Sequence, residues 1–131
     1  MLSTKDLRAI ARARLRDANV LLQAKRYDGA LYLCGYAVEL ALKARICRTL
    51  KWPSFPESDK DFKGLHSLKS HDLEVLIRFS GVEGRVKAKH AVEWSRAIKW
   101  NPEQRYRPIG SCQPQEAADM VTCVERLLKV L

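Results

Sequence analysis

The fold is decided by residues 28–50, which read DGALYLCGYAVELALKARICRTL. Its first part, residues 30–38, contains no charged residue, and it predicts a helix that is apolar on every side. Such a helix is either buried in the centre of a protein or shared with a partner chain. Gly35 in its middle costs about 1 kcal/mol relative to alanine, so we expect another backbone to approach closely there.

Glu39 is the first charge after this apolar run. A carboxylate in such a position needs a partner, because an unpaired buried charge is costly. Lys43 lies four residues further on, in the favourable order of glutamate before lysine. The partner is therefore predicted to be Lys43 or a basic group on another helix or subunit.

Apolar residues at steps of three and four predict four further helices. We expect the first helix over about residues 4–25 with Thr4 as its cap, and another from a Ser70 cap to Gly81. The last two are predicted over about 83–98 and 115–131, whereas 51–70 is a connection with a short turn around 62–68. No segment alternates as a strand does. The prediction is a single all-α domain, residues 1–131, formed by an antiparallel bundle of about five helices.

The charge balance indicates an acidic partner. The chain has 24 Lys and Arg residues against 15 Asp and Glu residues, which leaves a net charge of +9. No uncharged stretch is long enough to span a membrane, and the first residues carry charges where a signal peptide would be apolar. We therefore expect a cytoplasmic protein whose four cysteines are reduced residues of the core.

The excess charge is concentrated in two segments. Residues 1–26 and residues 76–107 each carry a net charge of +5. In the first segment, Arg8, Arg12 and Arg16 follow one another at helical steps of four. These arginines are either a solvated helix face or a ridge that contacts an anion such as RNA or a nucleotide.

Three motifs, taken in order, resemble those of HEPN-domain proteins. Residues 37–44 read AVELALKA, which matches the A-x-E-x-A-L-K-A end of that family's central helix. His71-Asp72-Leu73 matches the motif that opens the family's third helix, and Arg105-Tyr106 matches the loop before its last helix. Within these motifs Glu39, Lys43 and Asp72 are the structural positions.

The resemblance implies an all-α bundle that is usually a homodimer. HEPN proteins commonly act as RNA-cleaving toxins or as partners of small nucleotidyltransferases in paired two-gene systems, and others bind nucleotides or serve as scaffolds. The resemblance therefore implies binding of RNA or nucleotide phosphates within a toxin–antitoxin or nucleotidyltransferase-paired system. The alternative is a non-catalytic module that binds a nucleotide or a protein partner, a nucleotidyltransferase or an antitoxin.

Ribonucleases of this family carry an arginine and a histidine separated by four to six residues. Histidine transfers a proton or orients the 2′-hydroxyl, and arginine offsets the charge that grows on the phosphate. Arg85 and His90 have this spacing, although thirteen arginines and three histidines make about one such match expected by chance. On one continuous helix these two side chains would point about 140° apart, with His90 on an apolar stripe. They are the catalytic candidates, and a packed or interface histidine is the alternative.

Arg105, Tyr106 and Arg107 are further candidates for binding RNA or a nucleotide. Guanidinium groups grip phosphates, and a neighbouring ring stacks on a base, but the same residues could simply pack the loop against the bundle. His71 is a candidate for the same role, or for an enzyme in which it acts together with Glu39; its alternative is a structural residue at a helix start. The spacing of His, Cys and carboxylate residues predicts neither a metal site nor a cofactor.

Overall fold

The computed structural model describes residues 2–58 and 60–131. Its helices are α1 (Thr4–Gln23), α2 (Tyr27–Leu50), α3 (Leu73–Ser80), α4 (Glu83–Lys89), α5 (Ala91–Ala97) and α6 (Pro114–Val130). Two 3-10 helices, His66–Leu68 and Pro102–Tyr106, lie in the connections. The prediction of an all-α helical bundle is confirmed.

A pair of two-residue strands, which the sequence pattern did not predict, closes one end of the bundle. β1 (Leu2–Ser3) pairs with β2 (Ser54–Phe55) in antiparallel register, Leu2 opposite Phe55. Phe55 is buried and stacks edge to face on Phe62. The connection after α2 is thereby anchored on the core.

The long helix α2 is the centre of the bundle, as its apolar sequence predicts. It packs against α1, α3 and α6, and most of its residues between Ala30 and Cys47 are buried. α1 and α2 are joined by only three residues, so they run antiparallel as a hairpin. This arrangement places the start of α1 beside the end of α2.

Gly35 is a site of close approach, but the neighbour is a side chain and not a backbone. A Cβ atom at this position would lie 2.0 Å from the indole ring of Trp100. The ring is buried, and its Nε1 donates a hydrogen bond to the carbonyl oxygen of Tyr32 at 3.0 Å. Gly35 therefore packs inside the core of this chain.

Several predicted helix ends are displaced. Ser3 and not Thr4 caps α1, since its Oγ accepts a hydrogen bond from the Asp6 backbone N–H at 3.0 Å. Asp72 and not Ser70 caps α3, accepting from the Glu74 backbone N–H at 2.9 Å. Gly81 ends α3 in the left-handed conformation as predicted.

The helix predicted over residues 83–98 is two helices. α4 ends at Lys89 and α5 begins at Ala91, and His90 between them has non-helical backbone angles, φ −131° and ψ 38°. Only the Val86 and Trp94 sides of this unit are buried against the core. The regular helix is thus interrupted at His90.

All four cysteines are buried and free. Burial raises the pKa of the Cys34 thiol to about 12 and that of Cys112 to about 11. Both thiols therefore stay protonated and unreactive at neutral pH. No helix in residues 2–58 and 60–131 combines the length and the apolar character needed to cross a membrane.

Candidate nucleic-acid interface

A wide groove of about 950 Å³ is lined mainly by basic side chains from four elements of the bundle. We call it the arginine groove. Its charged and titratable lining residues are Arg8, Arg12, Arg45, Arg48, Arg85, Lys89, His90, Glu125 and Lys129. Seven of these are Arg or Lys, and Glu125 is the single acidic side chain among the described lining residues.

The helical hairpin explains why these arginines meet. Arg8 and Arg12 lie one turn apart near the start of α1, and Arg45 and Arg48 lie near the end of α2. Because α1 and α2 are antiparallel, these two pairs come to the same end of the bundle. The chain thus gathers cations that are almost forty residues apart in sequence.

The arginines of the groove repel one another. Burial, followed by the neighbouring charges of Arg48 and Arg12, lowers the pKa of Arg8. Burial, followed by Arg48, Arg85 and Arg8, lowers the pKa of Arg45 in the same way. Both arginines remain charged at neutral pH, so their desolvation and mutual repulsion lower the stability of the folded protein.

Arg45 has an unsatisfied donor in this groove. Its Nε is buried and has no hydrogen-bond partner among the described residues. Leaving such a donor unpaired is unfavourable, and a phosphate oxygen would satisfy it. Mutual repulsion and an unpaired guanidinium N–H are both relieved by a bound polyanion.

Arg85 and His90 line the same groove because α4 ends at Lys89. Arg85 Nη2 donates a hydrogen bond to the carbonyl oxygen of Val130 at 3.1 Å, which holds the arginine against the end of α6. His90 is half-buried and faces the groove. The unfavourable angle expected on one continuous helix does not apply, since the helix is interrupted at the histidine itself.

A second cluster surrounds Glu39 on α2. Glu39 is only 3% exposed, and its two carboxylate oxygens have separate partners. Lys43 Nζ donates to Oε2 at 3.1 Å, and His71 Nδ1 lies 2.7 Å from Oε1. The sequence left two alternatives for the partner of Glu39, Lys43 or a basic group from elsewhere. In the structure Glu39 contacts both Lys43 and His71, which lies in the segment before α3.

Residues 4–57 match the model of the HEPN domain. The resemblance to the HEPN family is therefore confirmed. The match covers about two fifths of the chain and includes α1, α2 and β2, with Glu39, Lys43 and the four hairpin arginines that line the groove. No curated protein and no solved structure matches the chain at a significant level.

The HEPN-matched segment contributes four of the seven Arg and Lys residues that line the arginine groove. Arg85, Lys89 and His90 come from residues beyond it, as does Lys129 on α6. Arg16, one turn after Arg12, is exposed on α1 but is not among the described residues that line the groove. Of the three arginines that the sequence places in one row, the structure brings two into the arginine groove.

The Arg105–Tyr106–Arg107 loop is not part of the groove. Arg105 stacks its guanidinium on the ring of Tyr106 at 4.8 Å, and Tyr106 is 70% exposed. Arg107 instead pairs with Glu116 at 3.4 Å and donates to the carbonyl oxygen of Ser111. Arg105 and Tyr106 are thus accessible to a ligand, whereas Arg107 holds its own loop in place.

Arg45, Arg48 and Lys129 were missed in the sequence analysis. Arg45 and Arg48 follow Glu39 and Lys43 on α2, in the part of the helix where charged residues become frequent. That signal was available, but which other cations they meet depends on the packing of α1 and α4. Among the described residues, no group of three His, Cys, Asp or Glu side chains could hold a metal ion.

Proposed function

We propose that this HEPN-like protein binds RNA or nucleotide phosphates in the arginine groove. The observation that carries the proposal is the convergence of seven Arg and Lys side chains on one groove with a single opposing carboxylate side chain in the described lining. A guanidinium group can bind two oxygens of one phosphate. Several guanidinium groups in one groove favour a ligand with several phosphates, such as RNA, over a single phosphate. HEPN domains often bind RNA or dimerise, which agrees with this assignment.

The biological role that fits such a groove is a cytoplasmic, toxin-like component of a toxin–antitoxin or nucleotidyltransferase-paired system. HEPN domains occur in ribonucleases and in other proteins whose functions involve nucleotides. We propose a homodimer as its functional form, which light scattering of the purified protein tests directly. The acidic surface of an antitoxin or nucleotidyltransferase could cover the groove through the same charge complementarity.

Arg85 and His90 are the residues proposed to cleave a bound strand without a metal ion. His90 would accept the proton of a ribose 2′-hydroxyl while the 2′-oxygen attacks phosphorus. The bond between phosphorus and the 5′-oxygen of the next nucleotide then breaks. The proton then passes to the departing 5′-oxygen, which leaves a 2′,3′-cyclic phosphate and a 5′-hydroxyl. Arg85 and the neighbouring arginines would offset the charge on the phosphate in the transition state.

The alternative is a groove that binds without cleaving. The cations that would stabilise a transition state also bind a ground-state phosphate, and Arg85 is already engaged with the Val130 carbonyl oxygen. In that case the protein is a nucleotide-binding or protein-interaction module that partners a nucleotidyltransferase. Binding and cleavage must therefore be measured separately.

The binding experiment uses a fluorescent single-stranded RNA and fluorescence anisotropy at several salt concentrations. We expect affinity to fall steeply with salt, by a log–log slope of about 0.7 for each phosphate contact. Arg12→Gln and Arg45→Gln are expected to weaken binding and to lower the slope, whereas Arg16→Gln is the matched control from the same face of α1. Equal losses for Arg12→Gln and Arg16→Gln, or a flat salt dependence, would refute the groove.

The cleavage experiment incubates structured and single-stranded RNA with the protein in a chelator such as EDTA. Products with 2′,3′-cyclic phosphate ends are expected for the wild type, with a loss of about 100-fold or more for Arg85→Ala and for His90→Ala. His66→Ala, in the exposed 3-10 helix, is the control histidine. Intact RNA with normal RNA binding would favour the non-catalytic alternative.

A further inference from the structure

His71, the exposed partner of Glu39, lines a second, smaller cavity that the arginine groove does not include. This cavity measures about 250 Å³ and is lined by His71, Asp72, Ile98, Trp100, Asn101 and Pro102. We call it the His71 pocket. Arg48 of the arginine groove follows Glu39 by nine residues on α2, a rotation of about 180°. The two sites therefore lie on opposite faces of the central helix.

Glu39 orients the His71 ring through the contact with its Nδ1. A carboxylate can only accept, so the 2.7 Å contact requires a proton on His71 Nδ1. In the neutral ring this leaves Nε2 as a hydrogen-bond acceptor. The carboxylate is buried and anchored by Lys43, whereas the side chain of His71 is 60% exposed. A buried carboxylate thus orients the exposed Nε2 of the ring at the rim of the pocket.

Asn101 and Asp72 supply the complementary polar groups. Asn101 Oδ1 accepts the Glu103 backbone N–H at 2.9 Å, and its side-chain Nδ2 has no hydrogen-bond acceptor among residues 2–58 and 60–131. Asp72 uses Oδ1 to cap α3, which leaves Oδ2 as an acceptor. Ile98, Trp100 and Pro102 provide the apolar wall, and the Trp100 N–H is already satisfied by Tyr32.

We propose that the His71 pocket binds a sugar ring with vicinal hydroxyl groups, such as the ribose of a nucleoside. A hydroxyl both donates and accepts, so one hydroxyl can donate to His71 Nε2 and its neighbour can accept from Asn101 Nδ2. The carbon–hydrogen face of the ring packs on the apolar wall. The volume is sufficient for a sugar or nucleoside and small for a folded strand.

The test uses uncharged ligands. They carry no phosphate, so the arginine groove is not expected to bind them. Uridine, 2′-deoxyuridine and free ribose are titrated into the isotope-labelled full chain, and the backbone amide signals of residues 98–102 are followed by NMR. We expect uridine to shift these signals and 2′-deoxyuridine to bind about tenfold more weakly, because it lacks one of the two hydroxyls. A shift with ribose would assign the site to sugars in general, and no shift with ribose would assign it to nucleosides.

Two variants connect the shifts to the proposed contacts. His71→Ala removes the acceptor, and Asn101→Asp removes the donor while keeping the oxygen that caps the 3-10 helix; each is expected to weaken uridine binding about tenfold or more. His66→Ala and Arg48→Gln are controls that should leave it unchanged. No shift with uridine, equal binding of 2′-deoxyuridine, or unchanged binding by a folded Asn101→Asp variant would overturn the proposal. RNA binding in the groove is measured separately, so failure of this site leaves that result standing.

Discussion

Gly35 on α2 and Trp100 after α5 are packed so closely that no side chain fits between them. A Cβ atom on Gly35 would lie 2.0 Å from the Trp100 ring. Trp100 also contacts Tyr36 edge to face, with ring centroids 4.9 Å apart. This contact joins the segment that carries the His71 pocket to the central helix, and it can be tested by substitution.

Gly35→Ala is expected to lower the free energy of unfolding by about 3 kcal/mol, because the ring is buried and cannot move aside without strain. Gly84→Ala is the matched control, since nothing lies within 4 Å of the added methyl group on α4. Alanine is the better helix former, so this control should gain up to about 1 kcal/mol. Urea denaturation measures both values, and an equal effect at the two glycines would contradict the packing.

The crowded arginine groove predicts a stability that rises with salt. Screening weakens the repulsion among Arg8, Arg45 and Arg48, so the wild-type melting temperature should increase from about 10 mM to 150 mM salt. Arg48→Gln should raise the melting temperature at low salt by roughly 1 to 3 °C while weakening RNA binding. Arg126→Gln, which removes a partner of Glu93, should show no such gain. A loss of stability in Arg48→Gln would show that the arginine is structural.

The partners of Glu39 are expected to differ in their contribution to stability. Lys43→Met should cost about 2 kcal/mol, because it removes a charged hydrogen bond in a largely buried site. His71→Ala should cost less than about 1 kcal/mol, since the ring is mostly exposed and Lys43 still holds the carboxylate.

The double variant Lys43→Met with His71→Ala should cost more than the sum of the two, as the buried carboxylate then has no partner. A double-mutant cycle by urea denaturation checks this. Strict additivity would mean that the two contacts are independent.

Asp28 predicts an acid-sensitive loop. Hydrogen bonds from the backbone N–H groups of Gly110 and Cys112, at 2.6 Å and 2.9 Å, lower the pKa of its carboxyl group. The folded pKa is below the ordinary value of about 3.9, so these two hydrogen bonds stabilise the fold above that pH. Their contribution to stability is lost as the pH falls through the folded pKa of Asp28.

The NMR shifts of the Gly110 and Cys112 amides should therefore change together below about pH 4. In Asp28→Asn this transition should be absent. Amide shifts that titrate in the variant as they do in the wild type would assign the transition to another group.

Much of the fold could be predicted because its signals are local. Each signal depends on residues that are close together in the sequence: the apolar run of α2, the periodicity of α1 and α6, and the glycine that ends α3. The caps of α1 and α3 were displaced by one or two residues, because each helix is preceded by two side chains that can act as a cap: Ser3 and Thr4, and Ser70 and Asp72. The break at His90 could not be predicted, because the residues on both sides of it are good helix formers.

The site divides in the same way. Arg8, Arg12, Arg85 and His90 were singled out from spacing and charge, and their segments were identified as the basic ones, but the sequence did not indicate that the four residues line one groove. The need of Glu39 for a partner followed from its place beside an apolar run, whereas the choice of Lys43 and His71 together required the path of the chain before α3.

The sequence by itself determined the helical class, the central position of α2 and the excess of positive charge. Only the tertiary structure decided where that charge converges, because the antiparallel hairpin and the interruption at His90 bring distant cations together. The physical reason is the range of the forces involved. Helix formation and burial depend on residues within a few positions, whereas the electrostatic field of a groove is a sum over side chains that only packing makes neighbours.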